Sequence, residues 1–156
     1  MSLALDSSTV IELIRGRNAD VCARFDAARS GDLRLVLSSL VYHEVVFGAL
    51  RSRRPDRNLS LVDALVDTLE IEPWCREDGL EAARVRAELD GVGTPIGFVD
   101  TLIAGHARSR GHTLVTGNVR HFGLVGDLML IDWSISSEPI DPSPYLTSLR
   151  RAREED

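Results

Sequence analysis

"LALDSS", residues 3–8, decides how the chain is read. Leu3, Ala4 and Leu5 make an unbroken apolar run, the pattern of a short strand buried on both faces inside a parallel sheet. The run ends on Asp6, with Ser7 and Ser8 behind it, and "SSTVIELIRG" (7–16) then has the spacing of a helix closed by a glycine. Strand, carboxylate and helix in that order form the opening of a βαβ unit. In open α/β sheets, ligands bind beyond the carboxyl ends of the strands, where the strand order reverses. Asp6 therefore stands either as the cap of the following helix or as part of a site, and its position suits both.

The same alternation runs outward along the chain. "ADVCARFDAARSG" (19–31) reads as a helix, "LRLVLSS" (33–39) as a strand and "LVYHEVVFGALRS" (40–52) as a helix. A turn at 53–58 leads to an amphipathic helix over 59–69, a brief strand "EIEPW" (70–74) and a helix over 76–90. "GVGTP" (91–95) breaks the chain before a helix over 96–111, a strand at 112–118 and a last strand "LMLIDW" (128–133). Strands alternating with helices predict a parallel sheet with helices on both faces, a three-layer α/β/α architecture with four to five strands. The expected domain covers 1–133. Residues 134–156, with Pro139, Pro142 and Pro144 and a charged end, read as a loosely packed extension of it.

A chain of 156 residues fits one domain with a real core. No apolar run reaches the ~20 residues a membrane span needs, and the N-terminus has no signal-peptide pattern. A cytoplasmic location is expected, and with it two free thiols at Cys22 and Cys75. The net charge of −6 argues against a simple cationic nucleic-acid coat, but not against a nuclease whose carboxylates hold metal ions. All 18 basic residues are arginine.

Two acids interrupt apolar helix patterns. On a helix the neighbours of Glu44 are Leu40, Val41, Phe47 and Gly48, and those of Asp100 are Ile96, Gly97, Ile103 and Ala104. Both acids thus sit on faces expected to meet the core, where an unpaired charge costs on the order of several kcal/mol. Each needs a cation, a proton or a metal. If the strand ending at Thr116 and Asn118 neighbours the first strand across the reversal point, Asp6, Glu44, Asp100 and Asn118 converge on one crevice. Oxygen-only donors of this kind suit Mg²⁺ or Mn²⁺. Each residue also has an ordinary structural role: a cap for Asp6, a buried arginine pair for Glu44, a first-turn charge for Asp100, a turn for Asn118.

The chain resembles PIN-domain ribonucleases and, within them, the VapC toxins of type II toxin–antitoxin modules. The resemblance is carried by "LALDSS" (3–8), "SSLVYHEVVFGAL" (38–50), "PIGFVDTLIAGHARSRGHTLVTGNVRHFGLV" (95–125) and "LMLIDW" (128–133). Within the third stretch, D-x-x-I-A and T-x-N-x-x-x-F are the specific elements. The resemblance implies a PIN-like fold and a divalent-metal site with acidic ligands Asp6, Glu44 and Asp100, and Asn118 at a fourth position that is often Asp. It places Ser8 and Thr116 among the polar residues supporting that site. It further implies an Mg²⁺-dependent RNA hydrolysis with Mn²⁺ able to substitute, a VapB-type antitoxin partner, and a homodimer or a heterotetramer or larger assembly with that partner. Val10, Ile14, Val46, Leu61 and Leu65 are candidates for the partner groove or a homodimer face.

Arg15, Arg17, Arg108, Arg110 and Arg120 are candidates for RNA backbone contacts. His43, His106, His112 and His121 have no ligand spacing and read as structural or exposed. A phosphatase using Asp6 as nucleophile would want a second Asp two residues on, where this chain has Ser8. The alternative outside enzymology is a PIN-like interaction module with a weak or inactive metal site.

Overall fold

The protein is described as a computed structural model covering residues 1–144. Five parallel strands form its centre: β1 (Ser2–Leu5), β2 (Arg34–Ser38), β3 (Glu70–Glu72), β4 (Thr113–Val115) and β5 (Leu130–Ile131), in the spatial order β3-β2-β1-β4-β5. Leu3, Leu5, Val36, Leu37, Leu114, Val115, Leu130 and Ile131 are all buried, which is why the strands read as continuous apolar runs rather than alternating ones.

The chain winds outward from β1 to β3, then returns to β4 on the other side of β1. Helices α1 (Ser7–Arg15) and α2 (Ala19–Ser30) link β1 to β2, and α3 (Ser39–Leu50) and α4 (Pro55–Val66) link β2 to β3. The return to β4 runs through α5 (Arg76–Gly91) and α6 (Phe98–Ser109), and a short α7 (Val119–Phe122) follows β4. Because right-handed crossovers in opposite directions put their helices on opposite faces, the reversal at β1/β4 generates the layered architecture. It also leaves a crevice where the β1 and β4 ends diverge. The register Leu3↔Thr113, Ala4↔Leu114, Leu5↔Val115 sets Asp6 level with Thr116 across that crevice.

Local signals explain most boundaries. Gly16 takes a left-handed φ of 60° and ends α1. Asn18 caps α2 through its side chain, accepting from the Asp20 and Val21 amides, and Ser38 caps α3. The predicted turn over 53–58 is shorter than expected, because Pro55 occupies the first position of α4, where its missing N–H is no loss. The single turn α7 was not anticipated from sequence; four residues are too few to show helical periodicity.

Two expectations about faces are corrected. The core stripe of α3 is Val41, Val45 and Ala49, whereas Phe47 is 51% exposed and Glu44 is only half-buried beside the stripe. The helix is apolar nearly all round, so its pattern could not select the face. Val10 is fully buried and cannot line a surface groove. Of the extension, residues 134–144 are described: Arg24 donates to the carbonyls of Trp133 and Ile135, and the Ile140 amide donates to Leu130 O at 2.9 Å. The rest, 145–156, lies outside the described residues. Cys22 and Cys75 are free thiols.

Candidate metal centre

The end of β1 delivers Asp6 into the crevice, 3% exposed. Both of its oxygens are held. Oδ1 accepts from Ser8 Oγ at 2.8 Å and from the Thr9 amide at 2.9 Å, and Oδ2 accepts from Thr116 Oγ1 at 2.5 Å. Asp6 is therefore the cap of α1 and, at the same position, a candidate site carboxylate. Burial raises its pKa above the usual carboxylate value, and the hydrogen bonds from Thr116, Thr9 and Ser8 oppose this without cancelling it.

Thr116 carries the connection onward. Its Oγ1 accepts from the Asn118 amide at 2.9 Å, and Asn118 Nδ2 lies 3.3 Å from Asp100 Oδ2. Asp100 stands in the first turn of α6, three residues beyond the Gly97 cap. Ser8 closes a second link, accepting from the Gly117 amide at 3.2 Å. Glu44 is reached from the other side: Ser7 Oγ donates to Glu44 Oε2. Asp6, Asp100 and Asn118 thus belong to one hydrogen-bonded chain through Thr116, and Glu44 joins through Ser7, next to Asp6. As they stand, no three His, Cys, Asp or Glu side chains among the described residues are gathered closely enough to enclose an ion.

Sequence reasoning missed His121. Its Nδ1 is 2.8 Å from Asp100 Oδ2 and 3.1 Å from Asn118 Nδ2. A single turn of helix brings Asn118 and His121 together at i and i+3, a relation visible in the sequence once α7 is known. Arg108 and Arg110 are not at the site. They lie eight and ten residues along from Asp100, ~12–15 Å at the helical rise. Arg108 is occupied by Glu81 and Glu88, and Arg110 by Asp78. Arg120 is exposed between Asn118 and His121, Arg17 is exposed after α1, and Arg15 lines a groove with Glu44.

The contrast with two fully buried acids is informative. Glu72 and Asp78 are matched by arginines, Arg34 reaching Glu72 at 2.8 Å and Arg110 reaching Asp78 at 2.9 Å, whereas buried Asp132 accepts from the Ser134 amide and hydroxyl. Asp6, Glu44 and Asp100 have no arginine in salt-bridge range among the described residues; only His121 approaches, at Asp100. In a chain with 18 arginines, these acids are left without permanent positive charge. Carboxylates and an amide oxygen, with no thiol among them, form a donor set that fits a hard divalent cation. A cavity of about 350 Å³ opens at Asn118, the one candidate ligand that lines it, together with Ser8, Glu12, Gly117, Asp132 and Trp133.

Comparison with known proteins agrees with this architecture. Residues 3–127 match the PIN domain. The tRNA(fMet)-specific endonuclease VapC of Salmonella typhimurium is 35% identical over 133 residues, 85% of this chain and 98% of its own. Ribonuclease VapC2 of Haemophilus influenzae is 32% identical over 83% of this chain and 96% of its own. The DNA-bound VapBC crystal structure from Salmonella typhimurium superposes with a TM-score of 0.79 at 34% identity, covering 85% of this chain and 98% of that one. VapBC2 from Rickettsia felis, bound to a promoter DNA fragment, gives 0.81 at 27% identity, covering 85% and 99%. The chain belongs to the PIN-domain family and, within it, to the VapC group.

Proposed function

We propose that this protein is the toxin of a type II toxin–antitoxin module, a divalent-metal-dependent ribonuclease that hydrolyses RNA phosphodiester bonds and is neutralised by a VapB-type antitoxin. The observation that carries the reading is the set of acids without arginine partners, fixed by hydroxyl and amide donors where the strand order reverses. Asp6, Glu44, Asp100 and the Asn118 side-chain oxygen are the groups that would hold the ion, with Mg²⁺ as the working metal and Mn²⁺ as substitute. When bound, such an ion supplies polarisation of the phosphoryl group and a lower pKa for the attacking water.

The chain's own residues set the stage for that chemistry. Ser8, Thr9 and Thr116 fix both oxygens of Asp6. Ser7 fixes Glu44, and Asn118 keeps its Nδ2 on Asp100, which leaves its oxygen as the atom free to ligate. The cavity at Asn118 gives the RNA strand a place to lie, and Arg120, exposed two residues along from Asn118, is a cation for a backbone phosphate. A second groove of about 320 Å³, lined by Ile11, Ile14, Val45, Ala49, Val62 and Glu44, supports a seat for an antitoxin segment between α1, α3 and α4. An occupant there would touch the same Glu44 that serves the metal site, coupling partner binding to loss of activity. No helix among the described residues is long and apolar enough to cross a membrane.

The test uses protein purified free of its partner, incubated with Mg²⁺ and with tRNA(fMet), the substrate in the name of the Salmonella relative. Wild type is expected to cleave an RNA substrate and to lose cleavage in EDTA. Asp6→Asn and Asp100→Asn are each expected to reduce the rate by at least ~100-fold, as removal of a catalytic group does. Equal cleavage by all three proteins would remove the metal-site assignment.

A further inference from the structure

His121 has no part in the reading above, yet it makes the shortest contact that Asp100 has with any side chain, 2.8 Å from Nδ1 to Oδ2. Its ring is half exposed, with 50% of the side chain accessible, so it is not there to fill the core. The proton on Nδ1 follows from the contacts. Nδ1 faces Asp100 Oδ2 at 2.8 Å and Asn118 Nδ2 at 3.1 Å; the carboxylate contact is the shorter and involves an ionised acceptor, against which a bare lone pair would be repelled, so we assign the proton to Nδ1 and have it donate to Oδ2. Asn118 Nδ2 donates to the same oxygen at 3.3 Å. Asp100 Oδ2 therefore carries both donors, while Oδ1 accepts nothing from the described side chains. Asp6 differs in having both oxygens bonded. Asp100 is a carboxylate pinned by one oxygen with the other presented.

We propose that His121 is a positioning residue, which with Asn118 clamps Asp100 by Oδ2 and so turns Oδ1 toward the cation. This rests on the metal-dependent reading above. The clamp comes from one helical turn: α7 starts at Val119 immediately after Asn118, and the i, i+3 spacing brings both donors onto one oxygen of a carboxylate on another helix. Partners that orient a ligating carboxylate typically contribute ~10–100-fold to metal affinity. Such a role needs an N–H at the Nδ1 position and nothing else of the imidazole.

The experiment is calorimetric titration of Mn²⁺ into wild type, His121→Ala and His121→Asn, with melting in EDTA as a folding control. Asparagine places its Nδ2–H near the position of the imidazole Nδ1–H. Wild type is expected to bind Mn²⁺, His121→Ala to bind ~10-fold or more weakly, and His121→Asn to recover most of the loss, with all three melting alike. Turnover of RNA should follow the same order, in kcat rather than in KM for RNA. Equal affinity of His121→Ala and wild type overturns the proposal. So does an asparagine variant as weak as the alanine one, since the imidazole would then be acting as a ligand itself. Wild type that binds no Mn²⁺ overturns the metal reading, and this proposal with it; that outcome is distinct because it appears before any substitution is compared.

Discussion

At the scale of single residues, Asp6 shows most clearly what the site demands of the fold. A carboxylate 3% exposed, without a cation, holds its proton more tightly than in the unfolded chain. Its ionisation therefore opposes folding as the pH rises through the unfolded value near 4. Replacing the charge while keeping the shape should relieve this. Asp6→Asn is expected to melt a few degrees higher than wild type in EDTA, and to lose the stabilisation that millimolar Mn²⁺ gives wild type. Ligand present at 100 times its Kd adds about 2.7 kcal/mol, so the two curves should separate clearly in scanning fluorimetry. An asparagine variant that melts well below wild type in EDTA would mean that the charge is already compensated in the metal-free protein.

Between elements, the α5–α6 pair is the tightest joint. A Cβ added at Gly105 would lie 2.4 Å from Ala82 Cα, so the two helices touch backbone to backbone. No side chain can retreat to make room, because the obstacle is main chain and the methyl of Ala82. Gly105→Ala is expected to destabilise the protein by roughly 1–3 kcal/mol despite alanine's better helix propensity, read as a lower urea midpoint. Because α6 carries Asp100 in its first turn, a shifted helix should also weaken Mn²⁺ binding. Helix α3 teaches the converse lesson. Its residues are apolar on nearly every side, so sequence placed Glu44 on the core face, whereas packing chose Val41, Val45 and Ala49 and left Glu44 beside Ser7.

Over the whole molecule, the two ends of α6 carry opposite solutions to the burial of acids. At the N-terminal end, Asp100 meets only neutral donors and His121. Near the C-terminal end, buried His106, Glu72, Asp78 and His112 pack into an ionic cluster that half-buried Arg110 covers. Neither ring nitrogen of His106 has a hydrogen-bond partner, and burial pushes its pKa down, against the nearby Asp78. Burial also acts to raise Glu72, but the hydrogen bond to His112 and the charges of His112, Arg110 and Arg34 prevail and hold it low. Asp78 is likewise held well below the usual range by Arg110 and Ser109, against its own desolvation.

The pH dependence follows from these directions. Below about pH 6.5 the unfolded chain protonates a histidine that the folded chain keeps neutral, so stability falls on acidification through that window. Below about pH 4.5 the two depressed acids add to the loss, because their contribution is present above the unfolded values and disappears as the pH drops toward the folded ones. Urea midpoints should decline between pH 7 and pH 5, and His106→Leu should flatten that decline. An unchanged slope in this variant would place the acid sensitivity elsewhere.

The sequence by itself determined the alternation of buried strands with helices and the strand end at Asp6, because apolar runs, caps and glycine stops are local properties, and it offered Asp6, Glu44, Asp100 and Asn118 as candidate oxygen donors. It offered Arg108 and Arg110 as candidates for RNA contact, and the structure instead pairs them with Glu81, Glu88 and Asp78. Only the tertiary structure decided that Thr116 links Asp6 to Asn118, that Ser7 holds Glu44 and that His121 closes on Asp100. Those contacts join residues as far as 110 positions apart, through strand register and helix docking that no local pattern encodes. It also decided which acids received an arginine and which did not, because charge pairing depends on which side chains meet in space.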